Sequence, residues 1–262
     1  MITAQQVKEL RDRTGVGMAD CKNALTESNG DIEVAIEILR KKGIAKAAKR
    51  ADNETTEGKV KIVNDGKVAY VVSVSCETDF VARTPVFEEM LDKFIDIRKN
   101  SATDADAIAK ADDLKSTEYQ LKMGENMKIS ALSKFEGDVI ESYVHSNNKV
   151  GAIVIAKAGT DSEKLKQVAM HITATNPDVL SPSDISDEVV AKEKSIQLEI
   201  MQQDPKNAGK PAEIMLKIIE GKMTKFREEN ALLTQAFVVN PDLKVRDVIG
   251  ADNIVSFKRF SI

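Results

Sequence analysis

Tryptophan is absent from the 262 residues, and phenylalanine and tyrosine together supply only 4% of the chain. So few aromatic side chains leave little surface on which nucleic-acid bases can stack. Cysteine is almost as scarce. Cys21 and Cys76 cannot build a disulfide framework, which makes a reducing, cytoplasmic setting the expectation. Long apolar runs are also missing: the longest, 68–74 and 150–156, fall far short of the ~20 residues that span a bilayer, so no membrane segment is expected. No basic–apolar–small leader precedes the first helical pattern. Neither of the two histidines, His145 and His171, has a second metal-ligand type at a useful spacing. GxxxxGK[ST], HExxH and CxxC are all absent, and Gly15-Val16-Gly17 sits between helical patterns rather than after a strand. The chain is therefore expected to carry no cofactor and no metal, and to be no enzyme in the sense of covalent catalysis.

What remains is a charged, foldable sequence. Charged residues make up 31% and hydrophobic residues 42%, with a net charge of 38 − 42 = −4. The length allows two domains with real cores. Residues 1–51 carry three helical patterns. Thr3 caps the first, which holds Val7 and Leu10 and ends at Gly15. The second places Cys21, Ala24 and Leu25 on one face and stops at Asn29-Gly30. Asp31 caps the third, where Ile32, Ala35, Ile36 and Leu39 form a stripe that Gly43 is expected to close. Asp52–Gly58 is the best linker candidate.

From there the periodicity changes. Val60–Val63, the turn Asn64-Asp65-Gly66 and Val68–Val74 predict a β-hairpin, since Asp-Gly supplies the positive φ such a turn needs. A helix follows through Phe87, Met90, Leu91, Phe94 and Ile95, and then a helical, mostly solvent-facing stretch over 101–123. The next section looks like a second copy: Val139–Val144, a turn at Ser146-Asn147-Asn148, Val150–Ala156, and a helix with Leu165, Val168, Ala169 and Ile172. Sliding by 82 positions lays Lys67-Val68 on Lys149-Val150 (149 − 67 = 82) and Thr78-Asp79 on Thr160-Asp161. The copies part immediately afterwards, with Phe80-Val81 in one and Ser162-Glu163 in the other. Residues 183–228 predict two helices around a Pro/Gly break at 204–211, the second with Met215, Ile219, Met223 and Phe226 along one side. Strand-like pattern returns over 232–262. The fold class is thus α+β. Its divisions are a three-helix domain (1–51), a first core unit (52–138), a second core unit (139–182 and 229–262) and an inserted antiparallel, coiled-coil-like helical hairpin (183–228).

Three features invite a functional reading. Cys76 would need a base to act as a nucleophile, and none is identifiable; a small core residue ending a strand is the simpler role. Arg40, Lys41, Lys42, Lys46, Lys49 and Arg50 form a basic cluster at a helix end, where cations are favoured anyway, and no aromatic residue interleaves them. No direct nucleic-acid contact is expected. The third feature is Thr78-Asp79-Phe80-Val81. Thr78 and Asp79 suit the cap of a strand-to-helix turn, but the apolar pair after them does not belong on an exposed cap. Either Phe80 folds back as a hydrophobic staple, or it stands out as an apolar probe beside a carboxylate.

Val7-Lys8-Glu9-Leu10-Arg11, Thr14-Gly15-Val16-Gly17-Met18, Asp20-Cys21-Lys22-Asn23-Ala24-Leu25 and Asn29-Gly30-Asp31-Ile32-Glu33 resemble the N-terminal signature of the bacterial elongation factor Ts family. Thr78-Asp79-Phe80-Val81 resembles its second signature. Met123-Gly124-Glu125-Asn126, Gly137-Asp138-Val139, Ser142-Tyr143 and Met170-His171 match further segments, so the likeness covers essentially the whole chain. It implies a guanine nucleotide exchange factor for elongation factor Tu, binding that GTPase both with GDP and without nucleotide. It also implies a ubiquitin-associated-like N-terminal domain and a hairpin through which some members form homodimers. By the same resemblance, Asp79 and Phe80, flanked by Thr78 and Val81, enter the partner near its Mg²⁺ and phosphate contacts. Met123 supports them, Leu10 and Met18 touch the same GTPase domain, and His145 reaches another part of the partner. Departures are Ala19 after Met18, Ala236 within Leu233-Thr234-Gln235-Ala236-Phe237, and an end at Ile262 where some members continue into a helical module. The competing expectations are a nascent-chain or ubiquitin-like-protein adaptor built on residues 1–50 and an RNA-associated factor built on the basic cluster.

Overall fold

A computed structural model describes residues 2–203 and 211–262. The break expected at 204–211 therefore lies almost wholly outside the described residues. The chain packs as two compact units, one made of Met1–Glu136, Val144–Gly151 and Phe260–Ile262, the other of Gly137–Tyr143 and Ala152–Arg259.

The first unit opens with α1 (Ala4–Thr14), α2 (Met18–Glu27) and α3 (Ile32–Arg50). Thr3 and Gln6 form a reciprocal capping box, Gly15 ends α1 in the left-handed conformation, and Asp31 receives the Val34 N–H at 3.1 Å. Val7, Leu10, Val16, Cys21, Ala24, Leu25, Ala35 and Leu39 make the core of this bundle. One expectation needs correction: α3 does not close at Gly43 but continues to Arg50. Gly43 is buried, and a Cβ there would lie 3.0 Å from the Ser116 carbonyl oxygen and 3.3 Å from Leu121 Cγ. The glycine permits a close helix approach instead of a stop.

Strands β1 (Glu57–Asn64) and β2 (Val68–Cys76) form the expected hairpin, with Asn64 opposite Ala69 and Gly66 at φ 93° in the turn. The strand β3 (Met127–Glu136), which the sequence reading did not separate, pairs antiparallel on the other edge of β2, giving the order β1-β2-β3. Between β2 and β3 run α4 (Asp79–Ala82), α5 (Pro85–Lys99) and a helical path made of α6 (Asp104–Leu114), a wide π turn (Lys115–Tyr119) and α7 (Gln120–Met123). Against expectation, that path is not mainly solvent-facing. Ala107, Ala111 and Tyr119 are buried on the sheet side, while Leu121 packs on the bundle core. Tyr119 donates to Glu89 Oε1 at 3.0 Å and lies under the ammonium groups of Lys93 and Lys122; burial pushes its phenol up to about 12.

The second sheet has the order β4-β5-β8, from β4 (Val139–Val144), β5 (Val150–Ala156) and β8 (Ile254–Ser261). The core of the second unit sets Ala152, Val154 and Ile254 against Leu165, Val168 and Ile172 of α8 (Ser162–Thr175). The hairpin helices are α9 (Asp187–Gln203), which follows a short 3₁₀ turn at Pro182–Asp184, and α10 (Ala212–Asn230). They share a small seam of Met201, Ile219 and Met223, with Met215 and Ile218 at its border. Arg227 fastens the base by donating to the carbonyls of Pro182 and Ile185. The stretch expected to be strand-like from 232 opens with a 3₁₀ turn (Leu232–Thr234) and holds the short pair β6 (Ala236–Phe237) and β7 (Asn240–Lys244), then α11 (Val245–Ile249), before β8.

Candidate functional site

Strand β2 delivers the chain to a single-turn helix. Cys76, its last residue, is buried; the thiol donates to the Thr78 carbonyl at 3.2 Å, and burial, reinforced by the Glu125 charge, pushes it up to about 12. Such a thiol is no nucleophile at neutral pH. Thr78 caps α4 by accepting the Val81 N–H. Asp79, in the first turn, pairs with Arg83 at 3.0 Å on the open surface. Val81 then turns onto the core of the first unit and Ala82 is buried. Phe80 points the other way and is 81% exposed, the most exposed large apolar side chain among the described residues. This decides the choice left open by the sequence: Val81 takes the inward position a staple needs, and Phe80 is free of the core.

The turn is held from behind by residues to which sequence reasoning gave no role. The Thr78 N–H donates to Glu125 Oε2 at 3.0 Å and its hydroxyl to Glu125 Oε1 at 2.5 Å. Glu77 accepts the Asn126 N–H, the Asn53 side-chain amide at 3.1 Å and the Arg50 guanidinium at 3.0 Å, and its carboxyl is held below the usual range, first by the Asn126 N–H. The Asn126 side chain donates to the carbonyls of Ala51 and Asn53 at 3.2 and 2.8 Å. The only sequence sign of this knot is the segment Met123–Asn126, whose partners are far away along the chain.

The remaining candidate residues fall into different settings. Met123 is half-buried against the same core as Val81. Leu10 has no exposed surface and belongs to the bundle interior, whereas Met18, at the start of α2, is 46% exposed. Ala19 beside it is exposed as well. His145 is exposed where β4 ends, its N–H donating to the Val150 carbonyl. The turn it opens shares a cleft with the site: Ser146–Lys149 face Glu57–Lys59, Asp79 and Arg83, and Lys149 pairs with Glu57 at 2.6 Å. The structure thus gathers Thr78–Val81, Met123 and the turn after His145 around one part of the first unit. Half of the six-residue basic cluster is engaged in ion pairs, Lys42 with Glu27, Lys46 with Asp20 and Arg50 with Glu77. Among the described residues no group of His, Cys, Asp or Glu is arranged to hold a metal ion, and no helix is long and apolar enough to cross a membrane. An exposed aromatic ring beside a carboxylate, on a braced turn, is equipped to enter another macromolecule rather than to transform a small one.

Residues 77–262 match the family described as Elongation factor TS. The chain is similar throughout its length to proteins named Elongation factor Ts from Salmonella typhimurium (strain LT2), Salmonella typhi and Salmonella newport (strain SL254). Each is 44% identical to it over 100% of this chain and 91% of the relative.

Proposed function

The chain belongs to the elongation factor Ts family, translation elongation factors that exchange nucleotide on elongation factor Tu, and we propose that it does so by inserting Phe80, with Asp79 beside it, near the Mg²⁺ and phosphate contacts of its partner. It acts as a nucleotide exchange factor and makes or breaks no covalent bond. The observation that carries the insertion is Phe80 itself, 81% exposed on a capped turn whose next residue is packed into the core. A large apolar ring held out in water is stabilised only when something covers it.

Exchange is a linkage. The factor binds nucleotide-free partner more tightly than the GDP complex, and GDP weakens the factor by the same ratio. Burying the Phe80 side chain contributes about 2–3 kcal/mol, or roughly two decades of equilibrium constant. Asp79 adds negative charge where the partner holds phosphate and Mg²⁺, an effect that water partly screens. Other contacts must hold the GTPase domain meanwhile. Met18 is exposed for one and His145 for another, while Leu10, buried, serves by keeping α1 and α2 in place. Met123 backs the turn from the core side.

The finer architecture belongs to the same proposal: a ubiquitin-associated-like domain at 1–51, core units at 52–138 and at 139–182 with 229–262, and the hairpin at 183–228. Val189, Ile196 and Ile200 lie exposed along α9, which favours the hairpin as the homodimer contact. The cytoplasm is the proposed location, and the ion pairing of Lys42, Lys46 and Arg50 together with the scarcity of aromatics favours a protein partner over nucleic acid.

The test is release of a fluorescent GDP analogue from elongation factor Tu, with wild-type protein and with Phe80→Ala. Wild type should accelerate release, and the variant should lose about 10–100-fold of that acceleration with an unchanged thermal midpoint. Full acceleration by a folded Phe80→Ala protein would move the mechanism to other contacts.

A further inference from the structure

We propose that Glu125 is a positioning residue for exchange, its carboxylate holding Thr78 by both backbone and hydroxyl and so setting the direction of Phe80; this rests on the insertion of Phe80. Helix α4 has four residues, too few to fix its own axis by internal hydrogen bonds. Phe80 points away from the core, so its direction is inherited from the two ends of that turn. The far end is fixed by Val81 in the core and by Thr84, whose N–H and hydroxyl both donate to the Val81 carbonyl, at 3.0 and 2.8 Å. At the near end, Thr78 is held across 47 residues of sequence by Glu125. A carboxylate is an acceptor with two oxygens, so it receives both donors of Thr78 at once and leaves the hydroxyl oxygen to accept from Val81.

Glu125 is itself braced. The buried side chain of Gln120 donates to its carbonyl at 2.8 Å, and Asn126 next to it is tied to Glu77, Ala51 and Asn53. In the matching turn of the second unit the Thr160 hydroxyl donates to the Lys157 carbonyl, three residues away, and the Ser162 hydroxyl donates to the Glu141 carboxylate, so no single carboxylate there takes both the backbone and the hydroxyl of one residue. The first unit therefore carries a two-pronged carboxylate clamp, reaching 47 residues, at the turn that displays Phe80.

A double-mutant cycle tests this, using the full chain and elongation factor Tu loaded with a fluorescent GDP analogue. Glu125→Ala should slow the maximal release rate by roughly 10-fold, the scale of losing a charge-assisted pair of hydrogen bonds. In the Phe80→Ala background the same substitution should cost less than about twofold, because no ring is left to misdirect. Glu125→Gln, which keeps one acceptor and the side-chain length, should recover most of the rate; if Glu125→Ala does not fold, the cycle is run with Glu125→Asp, whose carboxylate falls one methylene short of Thr78. Equal losses in both backgrounds, tracking the thermal midpoint, would make Glu125 merely structural and overturn the proposal. So would a folded Glu125→Ala protein with undiminished exchange beside an impaired Phe80→Ala. Full exchange by Phe80→Ala would instead defeat the insertion reading and take the positioning role with it.

Discussion

The two strand–strand–helix–strand units begin alike and part at one turn. In both, the second strand is central and the chain leaves it through a polar, capped turn. Thr78 accepts the Val81 N–H in the first unit; Asp161 accepts the Lys164 N–H at 3.2 Å in the second. Beyond the cap, the second unit proceeds at once into the 14 residues of α8. The first stops after the four residues of α4 and restarts at Pro85 under a new cap, Thr84. That interruption gives up helix length and leaves a phenylalanine in solvent, neither of which the sheet or its core requires. The capped turn is what the fold needs, and the added break with its displayed ring is what the proposed insertion needs.

The contrast is sharpened most by two phenylalanines of the same unit. Phe94→Ala, in the core, should cost about 3–5 kcal/mol in urea unfolding while leaving exchange per folded molecule intact. Phe80→Ser, which imports the residue that the 82-position slide lays on it, should do the reverse: unchanged unfolding and about 10–100-fold slower GDP release. A stability loss at Phe80 would return it to the core and erase the difference between the units.

Acid should separate them more gently. His171 of the second unit is fully buried, its Nδ1 accepting the Val238 N–H at 3.2 Å and its Nε2 facing Gln235 Oε1 at 2.8 Å, so the neutral ring carries its proton on Nε2. Burial holds its pKa below the usual 6.5. The unfolded chain takes up the proton near that value and the folded chain only at lower pH, so stability falls as pH drops below about 6.5. Thermal midpoints across that range should show the slope in wild type and a flatter one in His171→Gln. The smallest effect is expected from Ser162→Phe. A ring placed on the uninterrupted helix of the second unit should leave GDP release unchanged, and any gain would mean that display alone suffices.

Local chemistry is the legible part of this sequence. Thr3, Asp31 and Asp65-Gly66 announce their caps and turn because the partner atoms lie within a few residues. Strand β3 is hard to read because its inward side changes phase. Ser73 opposes Ala131 while Val74 opposes Ile129, so Ser130 is an extra residue and the buried positions fall at Met127 and Leu132, an odd number apart. Gly43 looks like a terminator until Ser116 and Leu121 arrive from the other side of the chain. The path over 101–123 looks polar, although its alanines are what let it sit between the bundle and the sheet. In the site, Phe80 stands out as an apolar residue on a cap. Glu125 does not, because a carboxylate in a loop is ordinary until Thr78 is folded against it.

The extension of α3 to Arg50 has an entropic consequence. Arg50 meets Glu77, and Asn126 grips the carbonyls of Ala51 and Asn53, so the segment between the bundle and β1 is no slack tether. Under the contacts proposed for Met18 and Phe80, the protein presents two anchors joined without a slack segment. Once the first is seated, the second meets its target at high effective concentration, with no loop to close. Two modest contacts add nearly in full, and the partner leaves only when both let go together.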